Sequence, residues 1–119
     1  MSRVLFDRNV PVGLRRQLPN HRVSTTDDEG WSTLANGDLL DAAERSGFDV
    51  MVTADLQLKH QQNLSGRRLA LVVLSTSAWP VVRTNIPAIS TAVDAATPGS
   101  YRELTLLRPQ RPSRLLSFL

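Results

Sequence analysis

Apolar residues in this chain fall into two kinds of pattern, and the two alternate. Val4-Leu5-Phe6, Val50 to Thr53 and Leu69 to Leu74 are short uninterrupted runs, the pattern of strands buried on both faces. Between them apolar positions recur at helical spacing. Val12, Leu14 and Leu18, with Arg15 and Arg16 beside them, predict a short amphipathic helix that starts at Pro11 and stops before Pro19. Asn36 as cap, Asp38 in the first turn, Leu39, Leu40 and Ala43 on one face and Gly47 as stop predict the clearest helix, with Asp41 and Arg45 paired on its wet side. Leu56 to Leu64 predicts a short amide-rich helix closed by Ser65 and Gly66. Ile86, Ile89, Val93 and Ala96 predict another, with Pro87 in its first turn and Pro98-Gly99 at its end. His21 to Thr26 reads as a weak edge strand and Tyr101 to Leu107 as a last strand. The stretches 27–35 and 75–85 read as loops carrying Trp31 and Trp79.

Strand and helix in alternation predict an α/β fold, a three-layer α/β/α sandwich with a mainly parallel sheet, because parallel neighbours need crossovers. The expected strand order is 2-1-3-4-5. In it the first and third strands are neighbours whose crossovers leave to opposite faces, which opens a crevice at their carboxyl ends. The first strand, within Arg3 to Asn9, runs into Asp7, and the third, within Asp49 to Asp55, runs into Asp55. Both carboxylates are therefore expected at one sheet edge. Asp38, at the amino end of a crossover helix, is expected to join them.

At 119 residues the chain fits one domain, expected over 1–107. Residues 108–119 form a tail with Arg108, Arg111 and Arg114 followed by Leu115, Leu116, Phe118 and Leu119. Such a tail wants a surface on its own domain, on a second copy in a homodimer, or on a separate partner. With no cysteine, disulfides and thiolate metal sites are excluded. No apolar run approaches the roughly 20 residues needed to span a bilayer. Because the first strand begins at Arg3, no room is expected for a secretory signal, which points to the cytoplasm. The net charge is +3, and Lys59 is the only lysine, so arginine carries the excess. Arginine's planar fork matches phosphate oxygens, which suits a nucleic-acid partner, although many proteins of this charge have none.

Three carboxylates within about 5 Å of one another would repel by roughly 3 kcal/mol per pair at an effective dielectric near 20, so they need a cation or a raised pKa. An oxygen-only set favours magnesium or manganese, and one such ion at Asp7, Asp38 and Asp55 would activate a water against a phosphodiester. Simpler roles exist for two of them. Asp38 suits the helix macrodipole, and Asp55 suits a cap. Asn9 and Asn36 are candidates to orient the acids, and Arg8, Gln61 and Asn63 to contact substrate, though amides also serve as turn and capping residues. His21 and His60 read as surface residues. Trp31 and Trp79 suit either base stacking or packing over the sheet edge.

Leu-Phe-Asp-Arg-Asn-Val-Pro at 5–11, Gly-Trp at 30–31, Asn-Gly-Asp-Leu-Leu at 36–40, Phe-Asp-Val-Met-Val-Thr-Ala-Asp at 48–55 and Gln-Gln-Asn-Leu at 61–64 occur in an order that resembles the PIN-like proteins of the DUF5615 family. The resemblance covers roughly Arg3 to Ala96. It implies a PIN-like fold, magnesium-dependent ribonuclease activity, and a toxin role beside a small antitoxin protein, with Asp7, Asp38 and Asp55 at the acidic positions. Arg8 and Gln57 stand where that family usually has further acids, which leaves one metal, two or none. Arg8 would either bind a substrate phosphate or neutralise Asp7. The resulting expectation is a ribonuclease acting on RNA. The competing expectation is a catalytically silent module that binds nucleic acid or an antitoxin. A receiver-type phosphoacceptor ranks lower, since it needs a lysine after the last strand.

Overall fold

The computed structural model describes residues 2–108, so the tail lies outside the described residues except for Arg108. Five strands, β1 (Arg3–Phe6), β2 (Arg22–Thr25), β3 (Val50–Thr53), β4 (Ala70–Leu74) and β5 (Tyr101–Leu104), form one sheet in the order β2-β1-β3-β4-β5. Every pairing is parallel, with Leu5 beside Met51 and Phe6 beside Val52 at the centre. The predicted order holds, and the sheet is parallel throughout rather than mainly so.

Strand alternation divides the core into two layers. Val4, Phe6, Val50, Val52, Val72 and Leu74 face a 3₁₀ helix (Val12–Gln17), the single turn α3 (Trp79–Val82) and α4 (Ile86–Ala95). Leu5, Met51 and Leu71 face α1 (Asn36–Arg45) and the single turn α2 (Leu58–Gln61). Helices on both faces of one sheet make the three-layer sandwich. No helix among the described residues is long and apolar enough to cross a membrane.

Local departures from expectation have identifiable causes. The first crossover is 3₁₀ rather than α, with Leu14 N–H donating to Pro11 O and Leu18 N–H to Arg15 O. Six residues rise about 12 Å as a 3₁₀ helix against about 9 Å as an α-helix. The longer rise better retraces a four-residue strand of about 13 Å before Pro19 forbids continuation. Asn36 is the first helical residue and not the cap, which is Ala35 in extended conformation. The Asn36 Nδ2 donates to Gln61 Oε1 at 2.9 Å. The predicted helix over 56–64 contracts to Leu58–Gln61 because Asp55 Oδ1 accepts from Gln57 N–H before it, and Asn63 Oδ1 accepts from Ser65 N–H after it. The predicted loop over 75–85 contains α3, and β5 ends at Leu104 where Leu106 turns inward to the Ser75 hydroxyl.

Gly47 stops α1 as expected, at φ +81°, while Phe48 N–H reaches back to Ala43 O at 3.0 Å. His21 is no surface residue: its side chain is 6% exposed, with Nδ1 accepting from Ser2 N–H and Nε2 lying 2.5 Å from Asp94 Oδ1 on α4. It joins the start of the chain to α4. His60 is exposed, as expected.

Candidate acidic cleft

The chain turns from strand to loop at Asp7, whose N–H still donates to Val52 O at 2.9 Å and so extends the β1 ladder by one residue. This register sets Asp7 on the same sheet face as Leu5 and Thr53 on the same face as Met51. Asp7, Arg8, Asn9, Leu34, Asn36, Leu39, Ala54 and Asp55 line a cleft of about 340 Å³ at the carboxyl edge of β1 and β3. Five sequence-predicted residues, Asp7, Arg8, Asn9, Asn36 and Asp55, therefore meet there.

Thr53 holds the two acids in relation to each other. Its hydroxyl donates to Asp7 Oδ2 at 2.8 Å and accepts from Asp55 N–H at 3.1 Å, and the residue is fully buried. The other Asp7 oxygen accepts from Arg8 N–H at 2.8 Å. Asn9 braces the opposite wall, its Oδ1 accepting from Ala54 N–H at 3.1 Å. Sequence reasoning missed Thr53 because a β-branched residue closing a strand is ordinary. Its one distinguishing signal is a hydroxyl two residues before an acid. Thr53→Val keeps the shape and removes a hydrogen bond to a charged partner, so urea unfolding should show a loss of about 1.5–3 kcal/mol, with Thr53→Ser restoring most of it.

Asp38 stands apart. It is exposed and does not line the cleft, although Asn36 and Leu39 on the same helix do. At about 100° per residue, Asp38 is rotated roughly 200° from Asn36. Among the described residues no group of three histidine, aspartate or glutamate side chains is placed to hold a metal ion. The expected three-acid convergence reduces to a pair in the cleft.

Arg8 does not neutralise Asp7. Its guanidinium donates to Ser32 O at 2.8 Å and makes no ion pair with Asp7 among the described residues. Gln61 and Asn63 are both exposed. Gln61 supports Asn36, and the Asn63 carbonyl is spent on its own turn. Trp31 packs edge-on to Phe48 with ring centroids 5.9 Å apart, whereas Trp79 is exposed.

On the same face, Lys59 of α2 pairs with Glu103 of β5 at 3.0 Å, and the Tyr101 hydroxyl donates to the same carboxylate at 3.0 Å. Burial of the ring pushes the Tyr101 phenol up to about 12, and the Glu103 bond and the negative charges of Glu103 and Asp55 act in the same direction. Hydrogen bonds from Lys59 and Tyr101 hold Glu103 below the usual carboxylate range. This cluster ties α2 to the sheet margin.

Comparison of the chain with family models, with characterised proteins and with solved structures finds no match.

Proposed function

We propose that this protein is a metal-dependent ribonuclease of the PIN-like type, the toxin of a toxin–antitoxin pair, which cleaves RNA phosphodiester bonds. The observation that carries the reading is the cleft at the β1–β3 switch point, where Asp7 and Asp55 share one opening with Asn9, Asn36 and Arg8. Ligands of open parallel sheets bind at such a point. The sequence resemblance supplies the reaction class.

The donor set suits magnesium or manganese. These ions use one or two carboxylates and leave their other positions to water and substrate phosphate. Asp7 and Asp55 would hold the ion. When bound, it acidifies a water and steadies charge on the phosphate. The chain's own residues have separate tasks. The Thr53 hydroxyl fixes the Asp7 carboxylate, and Asn9 fixes the segment that leads into Asp55. The Arg8 guanidinium, held at the cleft mouth by Ser32 O, supplies a cation to a phosphate oxygen.

Incubation of the full chain with single-stranded and structured RNA tests this. Cleavage is expected with magnesium and is expected to disappear with a chelator. Cleavage indifferent to chelator removes the mechanism. The silent-module reading is favoured by the position of Asp38 outside the cleft and by Arg8 and Gln57 in place of acids. Calorimetry separates the two, since RNA binding without magnesium uptake supports the silent module.

A further inference from the structure

A second cleft, of about 620 Å³, opens at the same carboxyl edge on the opposite sheet face, lined by Val12, Gly13, Arg16, Asp27 and Trp79 among others. Its apolar residues are unusually bare. Val12 is 71% exposed and Trp79 36% exposed. Trp79 is nevertheless seated: a Cβ on Gly13 would lie 3.0 Å from both Cη2 and Cζ2 of the indole, so the absence of a side chain at Gly13 is what lets the ring lie against the 3₁₀ helix. The result is a fixed aromatic ring with an outward surface.

Charge on the rim is divided. Arg15 is committed to Asp28, whose carboxyl is held below the usual range first by its bond from Thr25 N–H, with Arg15 adding to the effect. Arg16 has no ion-pair partner among the described residues and stands free for an anion. The Asp27 carboxylate accepts no side-chain bond within the described residues and offers an acceptor to a base amine or sugar hydroxyl. An aromatic platform, one free guanidinium and an unused acceptor match a nucleotide whose base is unstacked.

The two clefts are joined by the chain itself. Asn9 lines the acidic one and Val12 the second, three residues apart and so within about 11 Å. A single strand passing over the segment from Asn9 to Val12 can reach both clefts. We infer that Trp79, with Val12 and Arg16, forms a base-stacking subsite for single-stranded RNA whose scissile phosphate lies at Asp7 and Asp55, an inference that rests on the ribonuclease reading. Trp79 is a substrate-binding residue that touches the base and not the reacting phosphate.

The test uses the full chain carrying Trp31→Phe, so that Trp79 is the remaining tryptophan, titrated with a uridine octamer in the presence of chelator. Saturable quenching of indole emission is expected. By anisotropy of labelled octamer, Trp79→Ala should weaken binding about tenfold or more, with Trp79→Phe recovering most of it and showing that the loss is not unfolding. In cleavage assays with magnesium, Trp79→Ala should raise KM and leave kcat unchanged. RNA that binds and is cut, with unaltered Trp79 emission and full affinity in Trp79→Ala, overturns the subsite and leaves the ribonuclease reading intact. Quenching without cleavage overturns the ribonuclease reading, and with it the scissile phosphate at Asp7 and Asp55, and leaves only RNA stacking at Trp79. Failure to bind RNA overturns the subsite, as does an indole that is shielded from acrylamide and blind to RNA, which would mean that polypeptide covers it.

Discussion

Asp7→Asn should lower RNA cleavage by at least about a hundredfold while the protein stays folded. The activity loss follows from removing one of two carboxylates that would hold the ion, an effect worth several kcal/mol of transition-state stabilisation, at 1.36 kcal/mol per tenfold. Retention of the fold follows from the local bonding. Asparagine keeps an oxygen for Arg8 N–H, and the Thr53 hydroxyl can turn to accept from the new amide while still accepting from Asp55 N–H. A thermal melt should therefore shift by no more than a few degrees. A wild-type cleavage rate in Asp7→Asn would remove the mechanism in which Asp7 and Asp55 hold the ion.

The largest stability effect is expected at Phe6. Its side chain is fully buried, and its backbone sits between Thr25 of β2 and Val52 of β3. Phe6→Ala opens a cavity at the sheet centre and should cost about 3–5 kcal/mol. Domains of this kind have about 5–15 kcal/mol in total, so the variant should unfold at a much lower urea concentration with an unchanged slope. Because Phe6 immediately precedes Asp7, any activity lost at low urea should return when a stabilising osmolyte is added. Persistent inactivity in a fully folded Phe6→Ala sample would mean that the ring positions the cleft directly.

The central fold was legible because parallel strands buried on both faces read as apolar runs, and Val4 to Phe6, Val50 to Val52 and Ala70 to Leu74 are such runs. Alternation leaves more than one doubly wound order open, and 2-1-3-4-5, the order chosen among them, is the one found. Short elements were not legible. α3 spans four residues, about one helical turn, and has no periodicity to detect. Asn36 reads as a cap by residue type, yet it is already the first helical residue of α1, and its Nδ2 donates to Gln61, 25 positions away. His21 is similar, buried by Ser2 and by Asp94, which lies 73 positions distant. At the cleft the strand-borne acids were readable because a strand end fixes both edge and face. The helix-borne acid was not, since the rotation of α1 about its own axis decides where Asp38 faces, and that rotation is set by the packing of Leu39 and Leu40.

The bond from Thr53 to Asp7 spans 46 positions of sequence, and neither strand can assemble the acidic pair without the other. During synthesis, a nascent chain shorter than about half the polypeptide holds the first acid with nothing opposite it. Loop closure over that distance has to precede chemistry. Under the ribonuclease proposal the chain would stay latent on the ribosome until β3 has emerged to meet β1.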